Sequence, residues 1–143
     1  MEKIKNCDNK HHITVIGNLI FKRKVHFAFN HIITAGYFDF LCTYIRFIKE
    51  IDGFTQLREK EATIWTNIYG VNNSVDSASL FFQKAYCMKK YVEGSVYFGG
   101  LAELESIKKR IQFLKDLKLN SKIVVVKKEC DKLLVDWNAS LFL

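Results

Sequence analysis

One short stretch gathers hydroxyls, a carboxylate and side-chain amides: Asn72-Asn73-Ser74-Val75-Asp76-Ser77-Ala78-Ser79-Leu80. Upstream, ATIWTNIYGV is β-branched and aromatic in the manner of a buried strand, and downstream Leu80, Phe81, Ala85 and Met88 recur at helical spacing. The stretch therefore reads as the mouth of a helix fed by a strand, with Asp76 or Ser74 as its N-cap. Unpaired backbone N–H groups at such a mouth, together with the positive end of the helix dipole, favour a carboxylate, a phosphate or an acidic partner. Ser77 and Ser79 are the hydroxyls a kinase would modify there, and a phosphate would add about −1.5 to −2 charges at neutral pH.

Other reactive residue types do not assemble into a site. His12-Ile13-Thr14-Val15 matches one half of the paired His-apolar-Thr-apolar pattern of two-histidine phosphoesterases, but no second copy follows His26 or His31. His11, His12, His26 and His31 lack metal-ligand spacing with acids or cysteines. Cys7, Cys42, Cys87 and Cys130 lie far apart without a C-x-x-C pair, so they read as thiols and not as a zinc site or a disulfide framework. Gly99-Gly100, between a short apolar run and a helical pattern, reads as a tight turn and not as a phosphate cradle. No catalytic residue, metal or cofactor is expected.

The elements that must position these residues are bounded by composition. The chain has 143 residues, 49% of them hydrophobic and 26% charged, which suits one globular domain with one core. No apolar run reaches the roughly 20 residues of a membrane span, and MEKIKNCDNKHH lacks a signal-peptide core, so a cytoplasmic protein without direct membrane insertion is expected. Net charge is +7, spread over Lys22-Arg23-Lys24, Lys89-Lys90, Lys108-Lys109-Arg110 and Lys127-Lys128. Clusters on separate elements read as solvated faces, and with no aromatic-rich RNA-binding strand and no helix-turn-helix pattern, no nucleic-acid partner is expected.

Periodicity predicts two opening strands, HITVIGNLIF and VHFAFNHI, then a helix over Thr34–Ile51 stopped by Asp52 and Gly53. A strand near Ala62–Tyr69, a helix over Ser74–Tyr91, a short strand SVYF, a helix from Leu101 to Leu117, a strand KIVVV and a short helix CDKLLVDW follow. The order β-β-α-β-α-β-α-β-α implies an α/β fold, a mixed or parallel sheet covered by helices. Residues 1–10 read as a flexible N-terminal tail and 11–143 as the domain.

Over residues 12–138 this order resembles STAS domains. Gly17-Asn18-Leu19 stands where that family has Gly-x-Leu after the opening strand, and IYGVNNSVDSASL resembles its strand, Gly-Val turn and Asp-Ser-Ser-Gly-Leu or Asp-Thr-Gly-Gly-Leu helix start. Ala78 occupies the place of the serine phosphorylated in anti-sigma factor antagonists, while Ser77 falls where the small STAS subunits of phospholipid-transport ABC systems carry threonine. The resemblance therefore implies a non-catalytic accessory subunit that docks on the ABC-transporter ATPase through Asn72, Asn73, Val75, Asp76, Ser77, Ala78, Ser79 and Leu80, peripheral to the inner membrane through that complex. The alternative it implies is a regulatory switch that meets a kinase or anti-sigma factor and is phosphorylated on Ser77 or Ser79.

Overall fold

The structure, a computed structural model, describes residues 12–141, so the expected tail over residues 1–10 and Cys7 within it lie outside the described residues. Four strands, β1 (Thr14–Ile16), β2 (Phe47–Glu50), β3 (Gln56–Arg58) and β4 (Thr63–Thr66), form one sheet in the order β1-β2-β4-β3. β1, β2 and β4 run parallel, and β3 pairs antiparallel with β4. Among the described residues five α-helices accompany them: α1 (Leu19–Ala35), α2 (Phe38–Tyr44), α3 (Ser74–Val92), α4 (Gly100–Asn120) and α5 (Val124–Ser140). The class is α/β as expected, but the element order is not the expected alternation.

The first correction is VHFAFNHI, which is helical. Phe21, Val25, Ala28, Phe29, Ile32 and Ala35 are buried, a spacing of three or four that threads through the basic triplet Lys22-Arg23-Lys24. The local alternation around His26 imitates a strand only when the pattern is cut at that triplet. Asn18 closes the start by accepting from the Phe21 N–H, and Gly36, in the left-handed region at φ 89°, closes the end by donating to the Ile32 and Ile33 carbonyls.

The second correction splits the helix expected over Thr34–Ile51. Thr34 and Ala35 end α1, Phe38–Tyr44 forms the separate short α2, and Ile45 turns extended into β2. β2 is an inner strand, paired on both sides, so tertiary pairing overrides the helical spacing of its apolar residues. SVYF carries no strand, and KIVVV, expected as a strand, becomes Ile123 at the N-cap and the first turn of α5. Val124 and Val125 there are 62% and 74% exposed, and the sheet supplies them no neighbour to pair with.

Register fixes which face of the sheet is buried. Val15, Ile48, Ile64 and Leu57 lie side by side across the four strands and pack into one core cluster with Phe29 of α1, Leu41 of α2 and Phe81 of α3. α1 and α3 touch each other, α4 packs on both, and α5 packs chiefly on α4. Phe113, Leu114 and Leu117 of α4 belong to the same cluster.

Candidate functional site

The start of α3 is built much as the sequence suggests, but its cap is Asn73 and not Asp76 or Ser74. The Asn73 side-chain carbonyl accepts from the Val75 and Asp76 N–H groups at 3.1 Å each, and the Ser77 N–H donates to the Asn73 carbonyl at 2.9 Å. The donors that would have drawn an anion are thereby used inside the turn.

Neighbouring helices then close over the inward side of the stretch. Val75, Ser77, Ala78 and Ser79 are buried, Ser77 and Ser79 completely. The Ser77 hydroxyl donates to the Ser74 carbonyl and the Ser79 hydroxyl to the Asp76 carbonyl, so each expected phosphorylation site faces inward with its proton already placed. Asn72 and Asn73 are exposed, and Ser74, Asp76 and Leu80 are half-buried. Even the polar ones among these are engaged: Lys24 of α1 donates to the Asn72 side-chain oxygen, Asn73 donates to Glu129 of α5 at 3.2 Å, and His31 of α1 pairs with the Ser74 hydroxyl at 2.9 Å. Burial holds the His31 imidazole below its ordinary value, so near pH 7 it stands neutral in that contact.

Arg110, taken from sequence as part of a solvated basic cluster, is 5% exposed and organises this region. From α4 its guanidinium donates to the Ser79 hydroxyl at 2.8 Å, to the Gln83 side-chain carbonyl at 3.1 Å, and to the Asp76 carbonyl and carboxylate at 3.2 and 2.8 Å. Trp137 of α5 lies over its other side, 4.2 Å from ring centre to guanidinium carbon. Asp76, Ser79 and Gln83 stand three and four apart on one stripe of α3, so a single cation staples α3 to α4 beneath α5. Desolvation lowers the Arg110 pKa while Asp76 acts against that, and arginine's high intrinsic value keeps the group charged.

His12, His26, Cys87 and Cys130 stay apart, whereas Cys42, expected as a thiol, is disulfide-bonded. His12 is exposed, His26 packs edge-on against Phe29 at 5.7 Å, and among the described residues no group of three His, Cys, Asp or Glu side chains could hold a metal ion. Burial raises the Cys87 thiol, and burial with Asp131 and Glu129 nearby pushes Cys130 up to about 11, so neither is a ready thiolate. Gly99-Gly100 opens α4 as the turn the sequence suggests. No helix of the described residues is long and apolar enough to cross a membrane.

A second surface was not foreseen. The sheet residues that alternate with the core set, Thr14, Ile16, Phe47, Lys49, Gln56, Arg58, Thr63 and Trp65, share the opposite face. Ile16 is 42% and Phe47 37% exposed, Lys49, Gln56 and Arg58 are exposed, and Trp65 is half-buried. Arg58 stacks on Trp65 at 4.3 Å and Lys49 stands 5.7 Å from the same ring. Below Phe47 the face runs into a groove of about 680 Å³ lined by Arg46, Lys60, Glu61, Met88 and Tyr91 among others. Parallel strands are ordinarily covered on both faces, and among the described residues no helix covers this face, which carries aromatic and cationic side chains instead. Each strand contributes two of the eight outward residues, so no single stretch of sequence displays them together.

No family model, curated protein or solved structure matches the chain.

Proposed function

We propose that this protein is a non-catalytic binding module whose partner is anionic and occupies the open face of the sheet. The observation that supports this is the face itself: Lys49 and Arg58 flank Trp65, with Phe47 and Ile16 beside them, and none of the eight outward positions is acidic. The net charge of +7 adds a long-range attraction for such a partner. Heparin chromatography tests the location. Lys49→Glu with Arg58→Glu should elute at clearly lower salt than the parent, and Lys108→Glu with Lys132→Glu, which changes charge equally on exposed positions of α4 and α5, should shift elution much less. Equal shifts for the two double variants would count against a face-specific site.

A second reading keeps the partner that the STAS resemblance implies, the ATPase of a phospholipid-transport ABC complex, in the cytoplasm at the inner membrane. What favours it is the exposed pair Asn72-Asn73 with half-buried Asp76 and Leu80, the part of the α3 start that solvent reaches. The switch controlled by a kinase or anti-sigma factor is less well supported, because Ser77 and Ser79 are sealed and α3 would have to open before either met an active site. Co-purification of an ABC ATPase and permease, lost with Asn72→Arg, would favour this second reading over the open face.

A further inference from the structure

We infer that the occupant of the open sheet face is a single strand of nucleic acid, bound by base stacking on Trp65 and Phe47 and by phosphate contacts from Lys49 and Arg58. This rests on the reading of that face as the docking surface and adds what kind of polyanion it takes. Phe47 pairs in register with Thr63, so Phe47 and Trp65 lie on adjacent strands and two residues apart along them. Strand spacing and rise put their Cα atoms about 8 Å apart, a diagonal pair on one face. An aromatic platform bordered by cations is the combination that single-strand binders use, because every base offers a π-face and every linkage a charge.

The surrounding charges agree with this occupant. Glu50 points to the other side of the sheet, where its carboxylate accepts from the Asn18 N–H at 2.9 Å. Glu59, at the end of β3, is engaged by the Tyr97 hydroxyl. Glu61 lies in the groove with Arg46 and Lys60, at the margin of the platform. Arg58 lies over the Trp65 ring, its guanidinium carbon 4.3 Å from the ring centre, so a base reaches that ring by displacing the guanidinium toward the edge, where a backbone phosphate would pass. A duplex fits less well, because its bases are already stacked and cannot lie on the rings. The expectation of no nucleic-acid partner, drawn from the scattered basic clusters, is thus revised by residues that only the strand pairing brings together.

Fluorescence anisotropy with labelled oligothymidylate and oligouridylate, and with a duplex of equal length, tests this on the full chain. Both single strands should bind and the duplex more weakly, with affinity falling as salt rises. Trp65→Ala should weaken single-strand binding by about tenfold, the loss of one stacked base. Lys49→Gln with Arg58→Gln, on exposed positions, should reduce the slope of log affinity against log salt by about 1.4, two phosphate contacts. Circular dichroism identifies a Trp65→Ala that has failed to fold, in which case the exposed double variant decides. A tighter complex with duplex, or single-strand binding that neither variant changes, would overturn the proposal. So would a self-associated chain, seen by sedimentation, that Lys49→Gln with Arg58→Gln dissociates. If the glutamate variants weaken heparin retention yet no oligonucleotide binds, the docking face stands and its nucleic-acid occupant falls; if they leave retention unchanged, both fall.

Discussion

At the scale of single residues, Arg110 decides how the α3 start behaves. Its guanidinium satisfies Ser79, Gln83 and Asp76 at once, and deleting it leaves those oxygens facing a cavity between two helices. Arg110→Ala should therefore cost about 3 kcal/mol, below the top of the range for broken buried pairs because the Asp76 carboxylate still reaches water. Asp76→Asn, which keeps an acceptor at the same place, should cost roughly 1 kcal/mol. Urea unfolding of the two variants checks the order, and an Arg110→Ala no less stable than Asp76→Asn would contradict it. The polar stretch around Asp76 was legible as a helix start because Asn, Ser and Asp before an apolar run are local signals. Its closure was not legible, because the group that closes it lies 34 residues away, in a run of three cations that looks solvated.

At the scale of elements, what read correctly were segments whose pattern is long and self-contained: α3, α4 and the β4 strand between Ala62 and Tyr69. What misread were segments decided by contacts made elsewhere. FIKE becomes a strand because β1 and β4 flank it, and VVVKKEC becomes helix because α4 offers it a surface and the sheet offers it no edge. The β1–α1 turn shows how tightly one such junction is set. A Cβ on Gly17 would stand 2.7 Å from the Phe21 ring and 2.8 Å from Glu50, and Phe21 is fully buried and has nowhere to go. Gly17→Ala should then lose about 1–3 kcal/mol, as overpacked core positions do. Gly53→Ala serves as the comparison, since its nearest neighbour would be an Ile51 methyl at 3.6 Å, ordinary contact distance. Thermal unfolding that shifts both variants alike would remove Gly17 as a packing constraint on that turn.

At the scale of the whole molecule, burial falls off from the sheet outward. α3 buries nine residues, while α5 of nearly equal length buries two, Val126 and Cys130. The rest of α5 is held by half-buried Leu133, Leu134 and Trp137, by the 3.2 Å contact from Asn73 to Glu129, and by polar links from Lys118 and Lys127 that lie in solvent. Exposed ion pairs of that kind contribute at most about 1 kcal/mol each, so α5 depends on a thin apolar contact with α4. A helix so attached opens at a lower free energy than the one whose apolar stripe completes the core. Native-state hydrogen exchange should show the amides of α5 exchanging through local opening, with a weak dependence on denaturant, while those of α1 and α3 exchange only with global unfolding. The same opening lifts Trp137 from Arg110 and gives water a path to the guanidinium, so Trp137→Ala should speed exchange in α5 and leave α3 unchanged. Amides of α5 as slow as those of α3 would mean that the outer layer is held by more than the contacts seen.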